Sequence, residues 1–420
     1  MNRVSKKAAR INERKRMMEQ AMAMDPERES RLAAIQMLIP MGLKLVEEEL
    51  KAEVRELSGE RYARGKKMGS WGSNGGSVYV YDQKVRVNVP RVRRKDTDEE
   101  VPLMSYVRLQ EPQVIEEAAL NRVINGISQK KYEKAVLSVP ETFGIKKQSI
   151  SKKWIRASAR KLRELMDRDL SDYDIVAMIL DGKTFGENEI ILALGVTMRG
   201  EKVVMGFIEA STENFIVCRD FLRGLLDRGL NTENEILCVT DGSKGLRKAV
   251  KSVLGDKAVP ARCQWHKREN AVGYLNKGDQ ADYRRKLQAA YEQPTYDAAK
   301  NRLLSIQREL RVLNDSAANS LEEGMEETLT LHRLGMFEKL GTSLKTTNCL
   351  ENLNRQLGIY TDRVCRWQNS DQRRRWVATA LLEIEPNFKK VKGYRHLPEL
   401  REAMRLLVRG KNQAEMKKAA

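Results

Sequence analysis

Three carboxylates stand in local contexts that suit shared chemistry: Asp181 in IVAMILDGKTF, Asp241 in EILCVTDGSKG and Glu351 in TTNCLENLNRQL. The first two close apolar, β-type runs, where a carboxylate projects at the edge of a sheet; the third lies in a segment of helical texture. Brought together by folding, they would form an all-oxygen cage for divalent cations, because hard ions such as Mg²⁺ take carboxylate oxygens. On a basic protein such a cage points to phosphodiester chemistry. Each residue also has a plain alternative: Asp-Gly is a common turn, and Glu351 can be an exposed helix acid. Only the three together, in this order, favour the chemical reading.

The composition narrows the partners. A chain of 420 residues with 77 Lys and Arg against 58 Asp and Glu has a formal net charge of +19. It is long enough for a sizeable core and two or three domains. The surplus cations attract a polyanion, and nucleic acid is the commonest one. No run of about 18 apolar residues is present, so no membrane partner is expected. The basic start, MNRVSKKAARINERKRMMEQ, lacks the apolar stretch of a secretory signal. Five cysteines, odd in number and without CxxC spacing, suit a reducing cytoplasm better than a disulfide framework.

The elements that must position the carboxylates follow from texture. From about Glu27 to Glu60 the spacing is helical, with Pro40 expected to kink or divide the helix. GSWGSNGGS then interrupts the pattern. SVYVYDQKVRVNVPRVRRK alternates with period two and predicts a β-hairpin turning near Asp82 and Gln83. Its polar face carries Lys84, Arg86, Arg91, Arg93, Arg94 and Lys95, an acid-free set that suits phosphate contacts or, alternatively, a solvated face. Farther on, a helix, a tight turn at Phe143-Gly144-Ile145 and a helix bearing Lys146, Lys147, Gln148, Ser149, Ser151, Lys152 and Lys153 have the layout of a helix-turn-helix. Pro140 fits that layout poorly, and a plain helical hairpin is the alternative.

From Tyr173 to Leu275 the texture is α/β. The runs IVAMILDG, IILALGVTM and VVMGFIEAS predict a three-strand antiparallel meander. A helix, the strand EILCVTDG, a helix, a short strand ARCQWH and a helix from Lys267 follow. This is the order of a ribonuclease H-like core, with Asp181 on the first strand and Asp241 just after the fourth, on strands that can be neighbours. Residues from about Gly278 to Leu344 are helical and charged, an insertion before Glu351. A cationic, aromatic helix and a basic tail expected to fray complete the chain.

The stretches ILDGKTFG, VTDGSKGLRKAV, ARCQWHKREN, LEEGMEETLTLHRLG, TTNCLENLNRQ and RRRWVATALLE, in this order, closely resemble the Mutator-type family of bacterial insertion-sequence transposases. The resemblance runs from VPRVRR to KKVKGYRHL. It implies a DDE transposase with a ribonuclease H-like catalytic core, a helical insertion, and a mainly helical N-terminal DNA-binding region containing the β-hairpin. It also implies Asp181, Asp241 and Glu351 as catalytic, metal-holding residues, with two Mg²⁺ or Mn²⁺ ions per site. The family's Cys-x-x-His signature falls on Cys263 and His266. Two such residues are too few for a structural zinc site, so packing beside the active site, or a His266 contact to phosphate or carboxylate, is expected.

The implied organisation is residues 1–110 (N-terminal helices and basic hairpin), 111–172 (helix-turn-helix-like region), 173–277 (first part of the core), 278–344 (insertion) and 345–420 (last part of the core and tail). Arg91, Arg93, Arg94, Lys146, Lys147, Ser149, Lys152, Lys153 and Arg355 are the candidate DNA contacts, Arg355 also being placed to pair with Glu351 one turn away. Lys183, Lys244 and Lys267 are further cations beside the motifs, and Trp367 and Trp376 are candidates for stacking on bases, against a buried alternative. The expected partners are double-stranded DNA, both element terminal repeats and target, and further copies of the chain in a dimer or larger assembly, in the bacterial cytoplasm on the nucleoid. An inactive DNA-binding regulator of transposase descent, or a nuclease that cuts without joining, are the alternatives.

Overall fold

A computed structural model describes residues 26–60, 67–80, 83–110, 113–127, 147–185, 188–210, 214–364 and 366–419. The chain divides into two units, Met1–Ala157 and Ser158–Ala420.

In the first unit helix α1 (Pro26–Ser58) precedes a sheet of β1 (Met68–Val80), β2 (Gln83–Arg94) and the short β3 (Glu100–Val101), antiparallel and in that order. Helix α1 runs through Pro40, which was expected to interrupt it; a proline removes one backbone bond, and the neighbouring turns of a 33-residue helix carry on without it. The helical pattern ends before the Gly/Ser stretch, as expected, and the stretch itself forms much of β1. Pairing shifts between Ser70 and Ser73, at Gly72 with φ +79°, next to the Ser73 partner Pro90, which has no N–H to give the ladder. A Cβ on Gly76 would come within 2.7 Å of the Tyr106 hydroxyl, so glycine makes room for the bond that hydroxyl accepts from the Ser77 N–H at 3.3 Å.

Period two holds over the first half of β2, with Val85 and Val87 buried and Arg86 and Asn88 exposed, and the parity changes across the register shift, beyond which Val92 is buried. Val92 packs with Leu50, Val54 and Leu103 in a small core. The turn at residues 81 and 82 lies outside the described residues. Helices α2 (Met104–Leu109), α3 (Gln113–Ile124) and α4 (Lys147–Met166) follow, the last crossing the division between units. The first helix and tight turn of the expected helix-turn-helix, with Lys146, lie outside the described residues; its second helix is α4.

The second unit is built on one sheet of β4 (Ile175–Phe185), β5 (Asn188–Thr197), β6 (Lys202–Ala210), β7 (Ile236–Thr240) and β8 (Ala258–Arg262), in the order β6-β5-β4-β7-β8. The first three form the expected antiparallel meander; β7 runs parallel to β4, and β8 parallel to β7. Parallel neighbours need crossovers, and helix α5 (Phe215–Asp227) precedes β7 while α6 (Lys244–Leu254) joins β7 to β8. Cys218, Leu222 and Leu225 of α5 and Leu246 and Val250 of α6 pack with Met178 and Leu180 in one core. The central strands are covered on both faces, which is why Ile175 to Leu180 are apolar without alternation.

Helix α7 (Gln264–Val272) starts three residues before the expected Lys267. The run ARCQWH leaves the sheet at Cys263 because Gln264 is tied elsewhere, its backbone N–H to Lys345 O at 3.1 Å and its side chain to Thr328 O at 2.9 Å. As expected, residues 277–344 are helical: α8 (Lys277–Tyr291), α9 (Tyr296–Leu313), α10 (Asp315–Glu322), α11 (Met325–Thr328), α12 (Thr330–Arg333) and α13 (Phe337–Leu344). Leu287, Leu303, Ile306, Leu310 and Leu321 give this segment its own apolar cluster. The chain ends in α14 (Asn348–Thr361), α15 (Ser370–Ile384) and α16 (Leu397–Ala419), so the tail expected to fray is helical to Ala419.

Candidate active site

The backbone decides where Asp181 points. Met178 and Leu180 enter the core beneath α5 and α6, so the two-residue period turns Ile179 and Asp181 to the opposite face. Helix α14, which carries Glu351, packs against β4. Asp241 arrives from the neighbouring strand: Leu180 and Thr240 are register partners, so the residues that follow them, Asp181 and Asp241, leave the parallel pair at one level. Gly242 turns the chain there with φ +102°, and Asp241 Oδ1 accepts the Ser243 N–H at 2.9 Å, an Asx-type turn that fixes the carboxylate.

Asp181 is 5% exposed. Burial pushes its carboxyl up to about 7, with the negative charge of Asp241 and Glu351 adding to the rise and His266 and the Thr347 hydroxyl opposing it. Asp181 therefore feels both other carboxylates, although all three are far apart in sequence.

Thr347 is the hub of this face. Its N–H and hydroxyl donate to Cys263 Sγ at 3.4 and 3.7 Å, its hydroxyl lies 3.4 Å from His266 Nδ1, and the same hydroxyl reaches Glu351 Oε1 at 3.5 Å. The start of α7 is thereby fastened to the start of α14. Burial favours the neutral thiol of Cys263, but hydrogen bonds and charge from His266 outweigh it and hold the thiol below its usual range. Burial likewise opposes charge on His266, yet Cys263, Asp181 and Asp241 push the imidazole up to about 9. Cys263 and His266 thus act as a pair, with Asp181 and Asp241 bearing on the imidazole.

Arg262, 5% exposed, wedges between two left-handed glycines: a Cβ on Gly242 or Gly324 would overlap its guanidinium. Its Nη1 donates to Glu323 O at 3.0 Å, linking the Asp241 turn to the helical segment.

Among the described residues no three His, Cys, Asp or Glu side chains close into a ligand set for a metal ion. Mg²⁺ is commonly held by one or two carboxylates together with waters and substrate phosphates. The donors themselves suit a hard cation: three carboxylates, of which Asp241 and Glu351 add to the rise in proton affinity that burial imposes on Asp181.

The other expected contacts fare unevenly. The hairpin cations are not free of acids, since Arg91 pairs with Glu100 at 2.5 Å and Arg93 with Asp98 at 2.9 Å; both acids follow β2 and so were invisible in the strand itself. Arg94, Lys147 and Lys152 are exposed and Ser149 half-buried. Lys153 is buried, its ammonium 6.0 Å from the centre of the Tyr79 ring. Arg355 donates to Asn352 at 3.2 Å rather than to Glu351. Lys183 is committed to Asn354 O at 2.7 Å, Lys267 is fully buried, and Lys244 is exposed. Trp376 is buried, and Trp367 packs between it and Phe185 at ring distances of 6.3 and 5.0 Å, so packing took both tryptophans. Thr347, Arg262 and the exposed Trp265 were missed; only the Asp-Gly turn hinted at the space Arg262 fills.

A family model described as Transposase, Mutator family matches residues 12–391. The chain is similar to the transposase for insertion sequence element ISRM5 of Rhizobium meliloti (strain 1021), 29% identical over 220 residues, 52% of this chain and 54% of that protein. It is 31% identical over 211 residues, 49% of this chain and 52% of the relative, to the transposase for insertion sequence element IS406 of Burkholderia multivorans. The transposase for insertion sequence element IS256 in transposon Tn4001 of Staphylococcus aureus is 24% identical over 280 residues, 63% of this chain and 68% of its own length. The chain thus spans about half the length of the first two relatives. With nearly its whole length matched by the family model, the chain belongs to the Mutator family of transposases.

Proposed function

We propose that this chain is a DNA transposase that binds the ends of its mobile element and cuts and joins strands there, with Asp181, Asp241 and Glu351 as the catalytic carboxylates. The observation that carries this is the electrostatic coupling of a buried Asp181 to both Asp241 and Glu351 on one face of the sheet. The strand order, a three-strand antiparallel meander extended by two parallel strands, supports a ribonuclease H-like core. Family membership supports DNA as the substrate, and so does the formal charge of +19.

In this reading Asp181 and Asp241, on neighbouring strands, and Glu351, on the helix packed against β4, would hold two Mg²⁺ or Mn²⁺ ions. When bound, such ions supply Lewis acidity to both the attacking and the departing oxygen of an in-line displacement at phosphorus. The residues do the rest. The Asx turn holds Asp241 still, Thr347 holds Glu351 against α7, and His266 offsets part of the carboxylate charge when substrate is absent. Hydrolysis frees a 3′-hydroxyl, which then attacks target DNA. In the N-terminal unit, exposed Arg86, Arg94 and Lys95 and the exposed cations of α4 are the surface offered to the element end. Two ends must be processed together, so the working form is a dimer or larger assembly.

Asp181→Asn tests the reading. With Mg²⁺ and a duplex carrying the element end, strand cleavage should vanish while duplex binding persists. Cleavage at the unsubstituted rate would refute it.

A further inference from the structure

We propose that Trp265 is a stacking platform for a nucleobase next to the phosphate being cut, a role that rests on the transposase reading above. Trp265 is 42% exposed, unusual for the residue type with the largest apolar surface to hide. Its exposure follows from the helix it sits on. Gln264, Lys267, Ala271 and Val272 take the buried face of α7, and residue 265 falls outside that stripe.

The ring is nonetheless placed. It meets His266 edge-on, with ring centroids 4.8 Å apart, and His266 touches Thr347, whose hydroxyl reaches Glu351. An indole face open to solvent therefore lies one side chain from the carboxylate face. The two tryptophans first considered for stacking are packed against each other, and Trp71 belongs to the other unit.

The chemistry of the substrate supplies the occupant. Where a strand is bent into such a site, a base beside the phosphate that leaves the stack loses the contact of its neighbours. An aromatic ring at the site restores that contact for any base, since every base has a π face. A base stacked on Trp265 would hold the strand beside Asp181 without reading sequence.

The test uses the full chain carrying Asp181→Asn, which binds without cutting, and element-end duplexes with 2-aminopurine placed at successive nucleotides around the cut. One position, or two adjacent ones, should be quenched by the protein, the quenching lost with Trp265→Ala and kept with Trp265→Phe. In the chain with Asp181 intact, Trp265→Ala should lower kcat/KM for cleavage between about fivefold and a hundredfold, with Trp265→Phe retaining most activity. Emission independent of residue 265 at every position, or undiminished cleavage by Trp265→Ala, overturns the proposal. If Asp181→Asn still cuts, the transposase reading fails; if it does not cut and residue 265 is without effect, only the stacking role fails.

Discussion

Lys267→Met should flatten the alkaline dependence of stability. Lys267 is fully buried, and its ammonium donates to Ser320 O while Glu323 lies 4.0 Å away. Burial, with Arg262 and Arg247 nearby, lowers its pKa from 10.5 to about 8. At about 1.36 kcal/mol per unit, the charged form costs on the order of 3 kcal/mol in the folded state. The unfolded chain binds more protons than the folded one between pH 8 and 10.5, so this residue makes stability rise with pH across that window. Below about pH 8 it is charged in both states and the full penalty stands. Methionine removes the penalty but leaves the Ser320 carbonyl unpaired, a loss of about 1–3 kcal/mol. Absolute stability at neutral pH therefore changes little, and the slope is the readout. Urea unfolding of both proteins at intervals from pH 7 to 11 should give curves that separate by about 3 kcal/mol from one end to the other. Parallel curves would refute the buried-charge argument.

Three further outcomes follow from the same geometry. Gly242→Ala forces a Cβ onto a residue at φ +102° and into the Arg262 guanidinium, so it should destabilise by about 2 kcal/mol or more and impair cleavage through the Asp241 turn; a thermal melt within a degree of the parent contradicts this. Thr347→Val keeps the volume of a buried side chain but takes the hydroxyl from Glu351 and His266, and should lower cleavage about tenfold with duplex affinity unchanged, where undiminished turnover would count against the hub. Glu385→Ala strands Arg168, which donates twice to that carboxylate at 2.7 Å, and frees the Val204 N–H, so chemical denaturation should show a loss of about 3–5 kcal/mol; a loss below about 1 kcal/mol excludes this role.

Much of the fold around the candidate site was legible because it depends on local pattern. The unbroken apolar runs before Asp181 and Asp241 announced strands buried on both faces, and the order of strands made those two neighbours. The helical segment before Glu351 was equally plain in its texture. What escaped is non-local. Strand β1 passes through a glycine-rich stretch that intrinsic propensity counts against, and only pairing with β2 and room for Tyr106 make it a strand. Lysines look alike in sequence, yet Lys267 and Lys153 are buried while Lys244 and Lys152 are exposed. Thr347 became a hub because Cys263, 84 positions away, supplies a sulfur acceptor. Arg355 faces Glu351 by helical spacing, but Asn352 at i−3 takes its guanidinium first. Hydrogen bonds to acids beyond a strand's end, as for Arg91 and Glu100, likewise need the fold to be seen.

The account stands on carboxylates at positions 181 and 241 holding divalent ions during strand cleavage. Cysteine substitution at each, assayed for cutting of an element-end duplex with Mg²⁺ and then with Mn²⁺, addresses this most directly, because a thiolate is a poor ligand for the harder Mg²⁺. Asp181→Cys and Asp241→Cys should be inactive with Mg²⁺ and regain part of their cleavage with Mn²⁺. Full activity with Mg²⁺, or equal loss in both metals at both positions, would contradict it.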